Sequence, residues 1–276
     1  MKKNIGYNII IYVIGFIICA FSILPVLWVL STSLKPETMV FTSPPRWIPE
    51  VTSLEHYKSV LSDPRMLRYF FNSFATAGLS TIAALVVGIL GAYGFSRYRF
   101  PGHKTLMISI LFTRMLPRVA LIVPFFVTLQ KLKIYNTRAG LVLVFLIITM
   151  PLSIWLLKGF FDGIPFEIEE AAIVDGCSPI GVLTRIVIPI TLPAIASVGM
   201  YVFITAWNEF LFALTMTKGM ELRTISVGLA FFIDEFGVRW GPLMAASILM
   251  SIPAMIVFSL FQKSLIKGLS EGAVKG

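Results

Sequence analysis

Charged residues are scarce in this chain. Of its 276 residues, 13% are Asp, Glu, Lys or Arg, whereas 57% are hydrophobic. A soluble globular domain carries about 25% charged residues, so this composition excludes the soluble class and indicates an integral membrane protein. The mean hydropathy of +0.87 agrees with that interpretation.

Cysteine and histidine are rare as well, with two of each. Cys19 and Cys177 stand in contexts that fit neither a disulfide framework nor a metal-ligand spacing, and His56 and His103 are isolated. These contexts give no basis for metal catalysis. The net charge is +9, but the basic residues are scattered singly between apolar blocks, so we expect no nucleic-acid partner.

Long apolar runs are abundant instead. Six segments reach the roughly 20 residues that a helix needs to cross a bilayer, and helices are expected because they satisfy their own backbone groups in lipid. The segments are 9–31, 69–95, 106–127, 139–160, 187–213 and 242–262. The first is too long for the apolar core of a signal peptide, so we interpret it as a retained helix. The sequence thus predicts an all-α membrane protein, with 1–276 as a single transmembrane domain.

Small residues recur along one face of the second span. In the second span, Ala84, Gly88, Gly91 and Gly94 form a small-residue face, which predicts a close approach by another helix.

The loop 32–68 is too polar to span and too short for a separate domain. We expect it to be an ordered loop outside the membrane, with a short helix around "SLEHYKSVL".

Six spans put both termini on the same side of the membrane. That side carries ten Lys and Arg residues and the other eleven, so the total does not decide the orientation. The short, dense loop "RYRFPGHK" favours cytoplasmic termini.

An acidic, alanine-rich stretch interrupts the apolar pattern, with five acidic residues from Asp162 to Asp175. Pro165 can start a helix, and "EIEEAAIVD" favours one, with Glu near the positive end of the helix dipole. Gly176 is well placed to end that helix, because the residue after a helix often needs a positive φ. We call residues 161–186 the elbow.

A second helix is predicted beyond the turn. Ser178 and Pro179 are typical of an N-cap and a first helical position, and this helix leads through Pro189 into the fifth span. We expect the two helices of the elbow to lie against the bilayer. Ala171 and Ala172 would leave a shallow face for a partner. The carboxylates that we expect to stay solvated, or to meet basic groups of that partner, are Glu167, Glu169, Glu170 and Asp175.

The elbow resembles the "EAA" loop of membrane subunits of binding-protein-dependent ABC importers. Glu170-Ala171-Ala172, then Gly176, Ile186 and Ile188-Pro189 match its pattern, with Ile188 where leucine is usual. Four further stretches narrow the resemblance to the second permease subunit of carbohydrate importers of the maltose and trehalose type. They are "VLWVLSTSLKP", "YGFSRYRFPGHKTL", "AWNEFLFALTM" and "KGLSEGAVKG".

This resemblance, which covers essentially the whole chain, implies a fold and a set of partners. The fold is the type I ABC importer transmembrane domain, in a prokaryotic inner membrane, with cytoplasmic termini and an extracytoplasmic 32–68 loop. The elbow would be a cytoplasmic pair of coupling helices docked on an ATPase subunit, and the carboxyl-terminal tail would reach toward the ATPase dimer. The residues implied in coupling are Glu169, Glu170, Ala171, Ala172, Asp175, Gly176, Ile186 and Pro189.

The implied assembly contains a homologous permease as heterodimer partner, two ATP-binding subunits and an extracytoplasmic solute-binding protein. ATP and Mg would belong to the ATPase subunits, and this chain would hold no cofactor of its own. The stretch "PGHKT" lacks the spacing of a phosphate-binding loop, so the chain itself is not predicted to hydrolyse ATP.

Two basic residues fall within the third span. Arg114 and Arg118 are four residues apart, which would place both on one face of a helix near the middle of the bilayer. A mid-membrane arginine is costly and normally faces a cavity or an acid. The pair would therefore line the solute pathway and bind hydroxyls or an anionic group. Alternatively it pairs with an acid elsewhere in the complex, or the span begins later.

Three polar or aromatic residues interrupt the fifth span. Trp207, Asn208 and Glu209 offer a stacking ring, an amide and a carboxylate, which suit a sugar. Glu209 has two other possible roles: it pairs with one of the arginines, or it lies near the outer surface.

Two other functional classes compete with a permease subunit. A secondary, ion-coupled transporter of a small polar solute would need a self-contained site and inverted repeats. A membrane-embedded enzyme ranks lower, because no matched acid and base are evident.

Overall fold

The computed structural model describes residues 5–235 and 237–273, with side chains described over 9–235 and 237–262. The chain is helical over most of that length, as the sequence predicts. Its helices are α1 (Ile5–Ser33), α2 (Glu55–Ser62), α3 (Pro64–Arg97), α4 (His103–Phe112), α5 (Ile122–Lys131), α6 (Arg138–Phe161), α7 (Phe166–Val174), α8 (Pro179–Val182), α9 (Ile188–Trp207), α10 (Leu211–Met216), α11 (Ile225–Ala230) and α12 (Trp240–Ala273).

Shorter elements complete the described chain. Three 3-10 turns cover Glu37–Met39, Thr113–Met115 and Arg118–Leu121, and a π-helical turn covers Leu183–Val187. Strands β1 (Ile233–Asp234) and β2 (Gly237–Val238) pair antiparallel. The tail's side chains, including those of "KGLSEGAVKG", lie outside the described residues.

Within the described residues, five helices are long and apolar enough to cross a membrane, and a bent pair makes a sixth if it is one span. The five cover Ile9–Ser33, Pro64–Arg97, Arg138–Phe161, Pro179–Trp207 and Trp240–Gln262. Each overlaps a segment that the sequence predicts to span the membrane.

The third predicted span is not the straight helix expected over 106–127. It consists of His103–Met115 and Arg118–Lys131, bent by 103° at the break between them. Pro117 explains the break, because proline disfavours helical geometry in the residue before it and has no N–H to donate. Accordingly, Leu116 is extended, with ψ of 133°. Arg114 and Arg118 therefore flank a bend and do not share one helical face.

The fifth span also has different limits from the predicted 187–213. We call α7 the first limb of the elbow and the helix that begins at Pro179 its second limb. The second limb and the fifth span form one continuous helical stretch, Pro179–Trp207. A π-helical turn precedes Pro189, and the N–H of Ile188 bonds the carbonyl of Leu183. This wider turn accommodates the missing N–H of Pro189 without breaking the helix. The helix then ends at Trp207, ahead of the separate helix α10.

The chain forms two compact units. One is built from the described residues up to Leu67 together with 228–252, and the other from 68–227 and the described residues from Pro253 onward.

In the first unit, helix α2 confirms the short helix predicted in the 32–68 loop. Its His56 is buried, with Nε2 2.9 Å from the carbonyl oxygen of Lys35. Lys35 is also buried, with its ammonium 4.3 Å from the ring centroid of Trp28, and burial lowers the pKa of this lysine. Gly241 is required beside them, because a Cβ there would lie 2.2 Å from Nε2 of His56.

In the second unit, the small-residue face of α3 packs against α6 at Gly88 and Gly91, which confirms the predicted seam at these two positions. A Cβ at Gly88 would lie 3.3 Å from Leu157, and one at Gly91 would lie 3.2 Å from Ile154. Ala84 is fully buried, whereas the position of Gly94 meets no neighbour within 4 Å. The seam thus holds α3 and α6 together close to Phe161, where α6 ends and the elbow begins.

Candidate functional site

The elbow has the predicted helix–turn–helix form. Helix α7 follows Pro165, carries Glu167 and Glu169 in its first turn, and is closed by Gly176 at a φ of +89°. Beyond this turn, the Ser178 hydroxyl accepts a hydrogen bond from the N–H of Gly181 at 3.2 Å. This N-cap starts the second limb, as expected from its sequence.

The inner face of the elbow packs into the chain's own core. Ala172 is 6% exposed and belongs to the same apolar cluster as Phe161, Ile164, Val182 and Leu183. The expectation that Ala171 and Ala172 together face a partner is therefore wrong for Ala172, because i and i+1 lie on different faces of a helix. Ala171 is exposed.

Glu169 is not solvated, contrary to expectation. Its side chain is 7% exposed and pairs with Arg97, which is 6% exposed. The Nε of Arg97 donates to Oε1 of Glu169 at 2.6 Å, and the Tyr93 hydroxyl donates to Oε2 at 3.0 Å. The cause is the position of Arg97 in the last turn of α3, which brings its guanidinium under the first turn of α7.

The same guanidinium ties the end of α6 to this pair. Its Nη2 donates to the carbonyl oxygen of Phe161 at 2.9 Å, and its Nη1 donates to the Ser96 hydroxyl at 2.8 Å. The Ser96 hydroxyl in turn donates to Oδ1 of Asp162 at 2.6 Å. The result is a polar network that joins α3, the end of α6 and α7.

The outer face of the elbow is apolar and acidic. Val174 is 88% exposed and Ile180 is 73% exposed, on opposite sides of the Gly176 turn. Ile173 is 55% exposed. The acidic residues of this face that are exposed, in agreement with expectation, are Glu167, Glu170 and Asp175. Exposed apolar residues accompanied by exposed polar ones are typical of a protein interaction surface.

Ile186 and Pro189 lie beyond this outer face. Ile186 is half-buried in the π-helical turn, and Pro189 is exposed at the start of α9. Their place is therefore at the joint between the elbow and the fifth span.

A cleft of about 220 Å³ opens at the bend of the third span. Its polar side chains are Thr113, Arg114 and Arg118, all exposed. Its apolar walls come from both sides of the bend and from α6; they are Leu116, Leu121, Phe125, Ile147, Ile148 and Pro151. Both arginines thus face one small cavity, although by a different geometry from the one predicted.

Glu209 lies beside this cleft and is buried, with a side chain that is 2% exposed. Its Oε2 accepts hydrogen bonds from the N–H groups of Phe212 at 2.9 Å and Ala213 at 3.2 Å, so it caps helix α10. Its Oε1 lies 4.0 Å from Nη1 of Arg118. This distance is at the outer limit of an ion pair, and among the two arginines it is Arg118 that Glu209 approaches.

Trp207 and Asn208 have opposite environments. Trp207 is 1% exposed, stacked on Phe203 with ring centroids 5.8 Å apart and edge-on to Phe74 at 4.8 Å. Trp207 is therefore enclosed by its neighbours, and in this conformation it does not present a surface to a solute. Asn208 is exposed, and its amide donates to the Ile204 carbonyl oxygen at 2.9 Å.

Sequence reasoning missed the roles of Arg97 and Tyr93 and the exposure of Val174 and Ile180. The available signal for Arg97 is its place at the very end of an apolar span, where a lone basic side chain needs a partner. Among the side chains that the structure describes, no three His, Cys, Asp or Glu residues come together to hold a metal ion.

Comparisons with known proteins identify the family of the chain. Residues 84–271 match the family described as "Binding-protein-dependent transport system inner membrane component". The chain is 38% identical over 279 residues, covering 100% of both chains, to the trehalose/maltose transport system permease protein MalG of Thermococcus litoralis. It is 32% identical, over 96% of this chain and 93% of the relative, to the sulfoquinovosyl glycerol transport system permease protein SmoH of Agrobacterium fabrum.

Solved structures show the same fold. A chain of a bacterial ABC transporter involved in the import of the acidic polysaccharide alginate superposes with a TM-score of 0.80 at 22% identity, over 95% of this chain and 98% of that chain. A chain of the MetNI methionine ABC transporter gives a TM-score of 0.61 at 14% identity, over 75% of this chain and 99% of that one. The protein belongs to the family of inner membrane permease components of binding-protein-dependent ABC transporters.

Proposed function

We propose that this chain is a permease subunit of an ATP-driven sugar importer, in which it forms half of the translocation pathway. The relatives at 38% and 32% identity are named as permeases for trehalose and maltose and for sulfoquinovosyl glycerol. Both cargoes are sugars or sugar derivatives, but one is neutral and the other sulfonated. The relatives therefore support a carbohydrate cargo without deciding its charge.

The observation that carries the proposal is the two-faced elbow. Its outer face offers Val174 and Ile180 together with exposed carboxylates, which suits a groove with basic groups on an ATPase subunit. Its inner face is held by the chain's own core. Force applied to the tip of the elbow, at Val174 beside the Gly176 turn, would therefore be transmitted to the spans instead of bending the elbow.

Two connections carry that force. The second limb continues through the π-helical turn into α9 without a break, so it moves with the fifth span as one body. The first limb is tied to α3 through Arg97 and Glu169. When two ATPase subunits close on ATP and Mg, the docked elbow would move, and α3 and α9 would tilt toward the outward-facing arrangement.

This function sets the orientation and the partners. The elbow and both termini are cytoplasmic, which requires the bent pair α4–α5 to cross the membrane. A homologous permease completes the pathway, two ATP-binding subunits supply the chemistry, and an extracytoplasmic binding protein delivers the solute. The secondary-carrier alternative has no support from the comparisons.

The experiment uses the whole complex. The binding protein that co-purifies with this permease is screened for sugar ligands, and the complex is then reconstituted in proteoliposomes. We expect the radiolabelled sugar to be taken up only when ATP is present on the side of the membrane that carries the elbow and the binding protein is present on the opposite side. Uptake that proceeds without ATPase subunits would contradict the proposal and favour a secondary carrier.

A further inference from the structure

We propose that the cleft at the bend of the third span binds the oxyanion of an acidic sugar, such as a carboxylate, sulfate or sulfonate, through Arg114 and Arg118. This inference rests on the proposed function, because it names the class of cargo that the pathway accepts. It concerns a different part of the chain from the elbow, so the two can fail separately.

The cleft carries an imbalance of charge. The two guanidinium groups face one cleft, whereas Glu209 is the one carboxylate that an ion pair joins to them among the described side chains. Glu209 is already committed, since its Oε2 accepts two backbone N–H groups of α10 and its Oε1 is no nearer than 4.0 Å to Arg118. At least one positive charge in the cleft is therefore not neutralised by the described part of the chain.

The cleft also has unused hydrogen-bonding capacity. Among the described residues, Arg114 makes neither a hydrogen bond nor an ion pair, and its guanidinium lies over the Tyr201 ring, with Cζ 5.8 Å from the ring centroid. The Tyr201 hydroxyl is buried and has no hydrogen-bond partner among the described residues. Each guanidinium carries several N–H donors in a planar fork that matches an oxyanion, whereas a neutral hydroxyl offers a single oxygen and no charge.

The position of the cleft along the chain also favours an anionic ligand. The break between His103–Met115 and Arg118–Lys131 lies near the middle of this apolar segment, where an unpaired charge is costly unless it faces a cavity or a counter-ion. The cleft supplies the cavity, and its walls include Phe125 and Pro151, which suit the apolar face of a sugar ring. An acidic sugar would supply the missing counter-ion and fill the apolar part of the cleft in one step.

The direct test is protection of arginine from chemical modification in the intact importer complex in nanodiscs. The complex is treated with phenylglyoxal in the presence of glucose, glucuronate, glucose 6-sulfate or inorganic sulfate, and modification is quantified by peptide mass spectrometry. We expect glucuronate and glucose 6-sulfate to slow modification of Arg114 and Arg118 severalfold more than glucose or inorganic sulfate does. Arg99, which is exposed and lies outside the cleft, is the internal control. Its modification by phenylglyoxal should be equal in the presence of all four compounds.

Two results would overturn the inference. Equal protection by glucose and by the acidic sugars would show that charge is not recognised. Equal protection by inorganic sulfate would show a site for any anion and not for a sugar. Failure of the complex to assemble, or to hydrolyse ATP in response to its binding protein, would instead contradict the proposed function, so the two failures are distinguishable.

Variants provide a second measurement on the same complex. Arg114→Gln/Arg118→Gln should weaken glucuronate binding about tenfold or more, because a charge-assisted contact is lost, whereas the matched Arg114→Lys/Arg118→Lys variant should retain part of it. Lys131→Gln, an exposed basic residue at the far end of the same bent pair, is the control for a general loss of positive charge. Glucuronate binding that is unchanged in the double Gln variant would remove the two arginines from the site.

Discussion

The guanidinium of Arg97 and the carboxylate of Glu169 form a buried pair that joins the last turn of α3 to the first turn of α7, with Nε 2.6 Å from Oε1. The same carboxylate accepts from Tyr93 at 3.0 Å, and the same guanidinium donates to the Phe161 carbonyl oxygen at 2.9 Å. Three elements therefore meet at one ion pair beneath the elbow. This pair is the link through which a force on α7 would reach α3.

Glu169→Gln should lower the free energy of unfolding by about 3–5 kcal/mol, because it leaves the Arg97 charge buried without a counter-charge. Glu170→Gln is the matched control, since Glu170 is the next residue but is exposed, and should change stability by less than about 0.5 kcal/mol. Thermal unfolding of the detergent-purified protein measures both. In a double-mutant cycle with Arg97→Gln, the two effects should be far from additive. Full additivity would argue against a coupled pair.

Gly176→Val should disturb the turn of the elbow while leaving the spans inserted in the membrane. Gly176 has a φ of +89°, and a residue with a Cβ is strained there by about 1–2 kcal/mol or more, although space for the Cβ is open. We expect ATP hydrolysis by the complex to continue while uptake falls.

Gly159→Val is the control for that substitution, because Gly159 also has open space around its Cβ position but lies within helix α6 without a positive φ. Uptake by the complex that contains the Gly159→Val variant should stay near uptake by the complex that contains the unmodified protein. If Gly176→Val transports normally, the geometry of this turn is not needed for coupling.

Trp207→Ala should act on stability and not on solute affinity. Trp207 is 1% exposed between Phe203 and Phe74, so truncation leaves a cavity that costs about 3–5 kcal/mol. Asn208→Ala, at the exposed neighbour, should leave the melting temperature nearly unchanged. The melting temperature and the Michaelis constant for uptake are measured for both variants. A raised Michaelis constant with an unchanged melting temperature for Trp207→Ala would show that Trp207 contacts solute during the transport cycle.

The bent pair α4–α5 should cross the membrane. In a background in which Cys19 and Cys177 are replaced by serine, Arg99→Cys before α4 and Lys131→Cys at the end of α5 place single thiols on either side of the pair. We expect a membrane-impermeant maleimide to label position 99 only from the cytoplasmic face and position 131 only from the opposite face. Labelling of both from one face would make the pair a re-entrant loop and would place the two termini on opposite sides of the membrane.

The sequence predicts the helical class and the elbow well, for local reasons. The first turn of α7, the positive φ at Gly176 and the N-cap at Ser178 are set by neighbouring residues, so their residue types suffice to locate them. The seam at Gly88 and Gly91 is similarly local in α3, and only its partner α6 comes from the fold.

One error has a local cause, and two have tertiary causes. Hydropathy alone does not register that Pro117 bends the third span, because the apolar run continues through it. It also does not distinguish Glu169 from Glu170, since which of two adjacent carboxylates is buried depends on where α3 places Arg97. The burial of Trp207 likewise depends on Phe74, which is distant in sequence.

Cross-linking from the tip of the elbow tests the central claim most directly. A Val174→Cys variant in the background lacking Cys19 and Cys177 carries its thiol at a position that is 88% exposed in this chain. Tyr12→Cys, at a position on α1 that is 77% exposed, is the control. In membranes containing the whole complex, we expect a short bifunctional maleimide to join position 174, but not position 12, to an ATP-binding subunit, and labelling of position 174 from the cytoplasmic face alone. Labelling from the opposite face, or the absence of any cross-link from position 174 to an ATP-binding subunit, would contradict the account.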